Sequence, residues 1–562
     1  MKFGFGRRQS WDLEVDVLSL GSGLGGITAA IVAHDLGRKV AVLDKSPKLG
    51  GVCAYSGGET FNPNNREMRA AGIEDSEEAA RAYVDFIGAG FNEPELTDRL
   101  MDSRHEAMEY LTDHTGIDWE ISSTLADYYY PFVPGSHAGG RYLVMNLFSG
   151  AELGEWQTKT HISPHHPQGL LSEDLNRMGG LAKAKDWDYE MIAERVAQDL
   201  RAFGPSMMGF LLKAALIDRG IPAYTDTPAR ELITDRAGAV IGVRAEREGR
   251  DFTVRARQGV VMSIGGYDHN APMATRYENM HERESACPPG VDGDNITLGC
   301  EIGAAIANVP PTNLANFFGY NIPGEEHFGK PLYRIVFECG VPHSMLVNRA
   351  GERFCDESFY KDSNARLRNW NGHKQDLPNV PTFLIFDENY RERYPVGSFM
   401  PGQPLPEGFV ERANSPGALA AKLGVDPEGL ERTLKRFNEY AEKGEDPVFG
   451  RGRYVWANRL AGDASYENPN LGPVNKAPYY GMRLTPVGVG INSHGLRFDR
   501  DARAVHVRGH AIPGFYVVGN SAALIDIGGG YQSGMSNLRA ITWGYLAAKH
   551  AAGVAESPRP GR

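Results

Sequence analysis

The 562-residue chain is poor in cysteine: Cys53, Cys287, Cys300, Cys339 and Cys355 are all it has, and no two stand at CxxC spacing. An odd count without that spacing excludes a disulfide framework and a zinc site, and suits a reducing cytoplasm. Long apolar runs are missing as well. None reaches the roughly 18 residues needed to span a bilayer, and peripheral membrane contact has no support. Arg7-Arg8 is followed by "QSWDLEVDV", polar and acidic where an export signal needs an apolar stretch, so an ordinary tail is expected. There is no Lys/Arg-rich run, and the net charge is −12, which excludes nucleic acid because phosphate binding needs a basic face. The chain contains neither a G-x-S-x-G elbow nor H-E-x-x-H, and His165-His166 in "ISPHHPQG" have no acid at metal-ligand spacing. No metal is expected, and a solvated loop is the expected home of those histidines. Repeats and low-complexity tracts are lacking too, and only the tail "GVAESPRPGR" reads as disordered.

What is present is a soluble globular composition, 41% apolar and 23% charged, on a chain long enough for two or more domains. Residues 14–44 alternate a β-rich run (Val15–Leu20), a glycine turn, a helical pattern (Gly26–Leu36) and a second apolar run (Lys39–Leu43). That is a βαβ unit. Gly21, Gly23 and Gly26 let the chain turn tightly, let a pyrophosphate approach the backbone, and let the helix pack on the strand. The helix N-terminus then faces a diphosphate, and Asp44, ending the second strand, is placed to accept hydrogen bonds from ribose hydroxyls. Strand, helix, second strand and acid agree, so dinucleotide binding is expected, with Lys45 beside the acid.

"KLGGVCAYSGGETFNPNN" (48–65) adds a second glycine-rich segment directly after the acid, which NAD dehydrogenases generally lack. Its Gly50-Gly51, Ser56-Gly57-Gly58 and Pro63-Asn64-Asn65 resemble the flavoproteins of the fumarate reductase and 3-ketosteroid dehydrogenase superfamily. That resemblance implies FAD, with this loop passing over the flavin. No histidine lies between Asp44 and Asn65, so the FAD is expected to be noncovalent.

The resemblance covers most of the chain and implies an α/β fold (α+β overall). A Rossmann-like FAD-binding domain with a β-meander would carry an inserted α+β substrate domain. The first part of the FAD domain is expected over 1–285, with a helical insertion over about 66–215. Its meander runs from "GIPAYTDTPARELITD" to "VVMSIGGYD" (260–268), with Gly265 and Gly266 at the cofactor. The substrate domain is expected over 286–455. The FAD domain would resume over 456–562, with "AIPGFYVVGNSAA" (511–523) bringing Asn520 to the cofactor, and Asn537 and Leu538 following in the last helix.

Within the inserted domain, "VNRAGERFCDESFY" (347–360) resembles the 3-ketosteroid dehydrogenase pattern, whose terminal tyrosine is the general base: here Tyr360. A supporting tyrosine comes from "ADYYYPFVPG" (126–135), as Tyr128 or Tyr129, and counting back from Pro131 favours Tyr129. The third falls in "GGGYQSGMSN" (528–537) as Tyr531, which with a backbone N–H, that of Met535, would hold the substrate carbonyl.

Elementary chemistry supports that division. Dehydrogenation beside a ketone removes an α-proton as an enolate develops, while a hydride leaves the adjacent carbon for flavin N5. Two donors on the carbonyl oxygen stabilise the charge, by roughly 3 kcal/mol per donor. A tyrosine of reference pKa about 10 is a poor base unless a second hydroxyl helps. Tyrosine alone marks nothing, since the chain has 24, but a packing aromatic does not need four glycines around it.

Dicarboxylate reductases of the same superfamily carry an arginine just before the Val-Asn strand. Here that place reads "ECGVPHSMLVN" (338–348), so a ketone is the expected substrate. Enzymes forming the Δ1 double bond usually carry Gly-Tyr-Pro-Gly-x-Gly, and Gln532 and Ser533 replace Pro-Gly. A serine at 533 is more like the Δ4-(5α) enzymes, whereas the large insertion and the tyrosine-rich motif are more like the Δ1 group. Δ1 chemistry on a 3-ketosteroid is the expectation, with Δ4 and a fumarate reductase-type flavoprotein as alternatives. A quinone or an artificial dye is expected to take the electrons.

Overall fold

A computed structural model of the chain describes residues 10–554 apart from 123 and 312–315. The Arg7-Arg8 tail and most of "GVAESPRPGR" therefore lie outside the described residues. The Leu13–Leu20 strand runs in the middle of an eight-stranded sheet, flanked by Val40–Leu43 on one side and Arg250–Met262 on the other. Ala223–Tyr224 extends one side, and Ala511–Val517 followed by Arg503–Val505 extends the other. The four pairings at its heart are parallel. Parallel strands need crossovers that cover both faces, which is why Val40–Leu43 is apolar and buried at every residue.

The first crossover is the Leu24–Asp35 helix, beginning two residues earlier than the sequence pattern suggests. It is buried continuously from Leu24 to Ala33 because the last helix, Met535–Ala551, packs along it. Burying a side chain such as Ile27 or Ile31 contributes about 1.5–3 kcal/mol. Close approach depends on glycine: a Cβ on Gly544 would sit 2.5 Å from the Gly25 carbonyl oxygen.

Ala229–Thr234 and Val240–Arg247 form the expected meander, antiparallel to the first half of Arg250–Met262. The second half of that long strand joins the parallel sheet beside Phe515–Val517. One strand thus ties the meander to the dinucleotide core.

The second domain is a seven-stranded sheet centred on Tyr479–Gly488, which pairs with Asn316–His327 and Thr382–Asp387. This corrects the boundary at 455. The composition change there reflects the helices Pro427–Glu442 and Val455–Ala461, after which the chain re-enters the same sheet before returning to the first. The region of about 66–215 supplies helices Glu77–Gly88, Pro94–Thr115, Tyr189–Ala197 and Phe203–Leu212. It also completes a small sheet of Thr60–Phe61, Tyr142–Met145 and Trp119–Ile121. Among the described residues no helix is long and apolar enough to cross a membrane.

Candidate active site

One cavity of about 460 Å³ runs from the βαβ turn to the seam between the two domains. At its first end the three glycines divide their work as the motif requires. Gly21 has φ +91°, and a Cβ there would lie 2.3 Å from the Ser263 carbonyl oxygen. Gly23 caps the Leu24–Asp35 helix with no side chain over it, leaving the helix amides open to the cavity. Gly26 is away from the cavity and lets helix meet strand, since a Cβ would be 2.2 Å from the Gly21 oxygen. An uncapped helix N-terminus without an acid in its first turn is a built anion site.

Asp44 Oδ2 accepts from the Ser22 amide (2.8 Å) and hydroxyl (2.5 Å), and Oδ1 accepts from the Ser46 amide (2.8 Å). Burial pushes its carboxyl upward, against the pull of those donors. Lys45 lines the cavity but is engaged, with Nζ 2.9 Å from Asp292 and 2.7 Å from Asp294, so it fastens the 288–294 loop across this end.

The second glycine segment abuts the first. The Gly50 amide donates to Ser22 Oγ at 3.0 Å, and Gly51, φ +54°, sits against Gly23. Ser56 Oγ donates to the Cys53 carbonyl (2.8 Å) and accepts from the Gly58 amide (3.1 Å), which folds the turn that presents Gly57 to the cavity. Gly265 and Asn520 line the cavity beside it, joined through Ser521, whose hydroxyl donates to the Gly265 carbonyl at 3.0 Å. Gly266 faces Asn492 instead and serves packing.

The last helix starts at Gly534, φ +77°, again without a side-chain cap. Two expectations are corrected here. The Met535 amide donates to the Gln532 carbonyl and the Leu538 amide to the Gly534 carbonyl, each at 3.1 Å, and both side chains are buried off the cavity. Helix geometry takes those N–H groups for the first turn. The backbone amide close to the Tyr531 hydroxyl at the cavity is that of Gly534. Asn537 does line the cavity, its side-chain amide donating to the Glu59 carbonyl at 2.7 Å.

At the domain seam the Tyr360 hydroxyl donates to that of Tyr128 at 2.8 Å, the rings meeting edge to face with centroids 5.5 Å apart. The partner is therefore Tyr128, not Tyr129. Asp127 is pinned by Arg141 at 2.7 Å and by the His137 amide, which turns the next side chain inward. Tyr129 points the other way, against Phe86, Phe359 and Tyr454, and does not line the cavity. Phe317 stacks on Tyr360 at 4.6 Å, and Trp456 lies 4.6 Å from the Tyr128 ring.

Tyr531 lines the same chamber, beside Ser533, Gly534 and Ser536. Burial raises the pKa of all three phenols, so each is a protonated donor at neutral pH. Lys361 Nζ stands 5.8 Å from the ring centroids of both Tyr360 and Tyr531, and burial pushes its own pKa far down.

Gln532 is buried away from the cavity, accepting from the Tyr83 hydroxyl at 2.6 Å and donating to that of Tyr142. It anchors the loop, while Ser533 faces the cavity. Two further groups escape sequence reasoning. Glu59 lines the chamber next to Ser533, and His165 and His166 sit half-buried on the wall rather than on a solvated loop. Burial pushes those histidines down to about 4 and about 3, so both are neutral. Their signal was only proximity to Pro and Gly, which reads as loop.

Residues 16–538 match the FAD binding domain family. The 3-oxosteroid 1-dehydrogenase of Mycobacterium tuberculosis is 31% identical over 96% of this chain and 98% of its own length. The 4-oxocyclohexanecarboxylate 2-dehydrogenase of Sinomonas cyclohexanicum is 32% identical, over 96% and 93%. Among solved structures, the 3-ketosteroid delta1-dehydrogenase of Sterolibacterium denitrificans, in complex with 1,4-androstadiene-3,17-dione, superposes with a TM-score of 0.86. It is 30% identical, over 96% of this chain and all of that one.

Proposed function

Since the chain belongs to the FAD binding domain family, we propose that it is an FAD-dependent oxidoreductase of CH–CH groups that introduces the C1–C2 double bond of a 3-ketosteroid. The observation that carries this reading is the chamber where Tyr360, Tyr128 and Tyr531 converge at one end of a cavity whose other end is a built dinucleotide site. The two uncapped helix N-termini and the glycine cradle fit FAD. When bound, FAD supplies the two-electron acceptor, taking the β-hydrogen with its electron pair at N5.

The residues do the rest. Tyr531 and the Gly534 amide hold the ketone oxygen, and their two donors strengthen as enolate charge develops. Tyr360, supported by Tyr128, removes the α-proton. Phe317, Phe337, Ile335, Trp456 and Leu460 wall the chamber, exclude water and hold flat apolar rings. A dicarboxylate would need several arginines, and among the described lining residues only Arg459 is one.

Arg459 also favours a second reading. It is exposed on the cavity wall and bonded to the Thr124 and Ala138 carbonyls, where it could receive the carboxylate of a monocyclic keto acid. The deciding experiment mixes the FAD-loaded protein anaerobically with 4-ene-3-one steroids, saturated 5α-3-one steroids and 4-oxocyclohexanecarboxylate. Flavin bleaching by the first with a 1-ene product supports the proposal. Bleaching by the keto acid alone supports the second reading, and oxidised flavin throughout sinks both. A quinone or artificial dye is the acceptor we expect, and a cytoplasmic setting is supported by five unpaired cysteines.

A further inference from the structure

Tyr360 has a difficulty that its partner does not remove. A phenol accepts an α-proton only if its own proton can leave, and the hydroxyl next to it belongs to another buried tyrosine. The chain of hydroxyls, however, does not stop there. Ser533 lines the chamber with Tyr128 and Tyr531, close enough to favour the ionised form of each phenol, and its Oγ donates to Glu59 Oε2 at 3.3 Å. Glu59 folds back over Gly57, where a Cβ would be 2.7 Å from both carboxylate oxygens, and it forms no ion pair among the described residues.

We infer that Glu59 is the terminal proton acceptor of the reaction, reached from Tyr360 through Tyr128 and Ser533. This rests on the ketone reading above. As the α C–H bond breaks, its electron pair stays on the substrate as the enolate. Tyr360 takes the proton and passes its own to Tyr128, Tyr128 passes one to Ser533, and Ser533 passes one to the carboxylate, which becomes a carboxylic acid. The enolate pair then forms the double bond as the β-hydrogen leaves with its electrons to FAD. One proton and one hydride are accounted for, and all three hydroxyls end neutral.

The surroundings make the carboxylate a fitting sink. Tyr128, Tyr142 and Tyr531 face it from three separate segments, and all are neutral phenols. Lys361, 5.8 Å from the ring centroids of both Tyr360 and Tyr531, is held down by burial. Arg539, on the helix packed behind, is committed to Asp526 at 2.6 Å. Enclosure raises the affinity of Glu59 for a proton above that of an ordinary carboxylate.

Since only the ionised form can accept, flavin reduction by the ketone rises with pH through an acid limb above the ordinary Glu range of about 4.3. In Glu59→Gln the rate falls by about 10²-fold, the limb disappears and FAD content is unchanged. Ser533→Ala loses the limb as well, and Glu59→Asp recovers part of the rate. A second readout needs no substrate: infrared difference spectra of the FAD-loaded protein across pH contain a titrating carboxyl band in the wild type that Glu59→Gln lacks. An unchanged acid limb in Glu59→Gln, or no carboxyl band assignable to Glu59, overturns the inference. If no ketone bleaches the wild-type flavin, the proposed function fails, and the infrared arm still decides whether Glu59 holds a proton.

Discussion

The two ends of the cavity are built on opposite plans. The dinucleotide end comes from residues close in sequence: a strand, a glycine turn and a helix hold Gly21, Gly23 and Asp44 within one supersecondary unit. The reaction end is assembled from four distant segments, with Glu59 after the cofactor loop, Tyr128 from the helical insertion, Tyr360 opening a helix of the second domain and Tyr531 before the last helix. A local site tolerates change around it but not within its backbone. A composite site depends on side chains and on whatever holds its segments in register.

The sharpest break of the local end is Gly21→Ala. A Cβ 2.3 Å from the Ser263 carbonyl at φ +91° cannot be relieved by a side-chain movement, so flavin per protein falls to background in the purified variant, and all turnover goes with it. At the composite end Tyr360→Phe keeps the flavin and slows anaerobic flavin reduction by about 10³-fold. Tyr531→Phe lowers kcat/KM by about 10²-fold, through the lost carbonyl donor. Gln532→Ala leaves the Tyr83 and Tyr142 hydroxyls unpaired and costs about 1–3 kcal/mol of stability, read as a lower midpoint in denaturant. Lys45→Met removes two partly exposed ion pairs, at most about 1 kcal/mol, and weakens flavin retention only slightly, measured by dialysis. If Gly21→Ala retained flavin or Tyr360→Phe lost it, the contrast between the ends would be wrong.

The same contrast governs what could be read from the sequence. Strand, turn, helix and acid were legible because the period of each is local, and the helix bounds miss by only two residues. Tyr360 and Tyr531 stood out because of their motifs. The Tyr128 partnership was not recoverable by counting, since three consecutive tyrosines differ only in direction, and Arg141, fourteen residues beyond Asp127 and just before the Tyr142–Met145 strand, holds Asp127 and so fixes which one turns inward. Glu59 was invisible because a carboxylate in a glycine-rich loop reads as solvated until the last helix closes over it. The 455 boundary failed for a related reason: Tyr479–Gly488 belongs to its sheet by pairing, which no neighbouring residue announces.

The 2.8 Å bond between Tyr360 and Tyr128 joins a residue of the second domain to one of the first. A hydrogen bond weakens within a few tenths of an ångström, so this one acts as an interlock. On the reading proposed above, the base stays connected to its proton path only while these two segments keep their register, and a shift of a few tenths of an ångström between them would disconnect it.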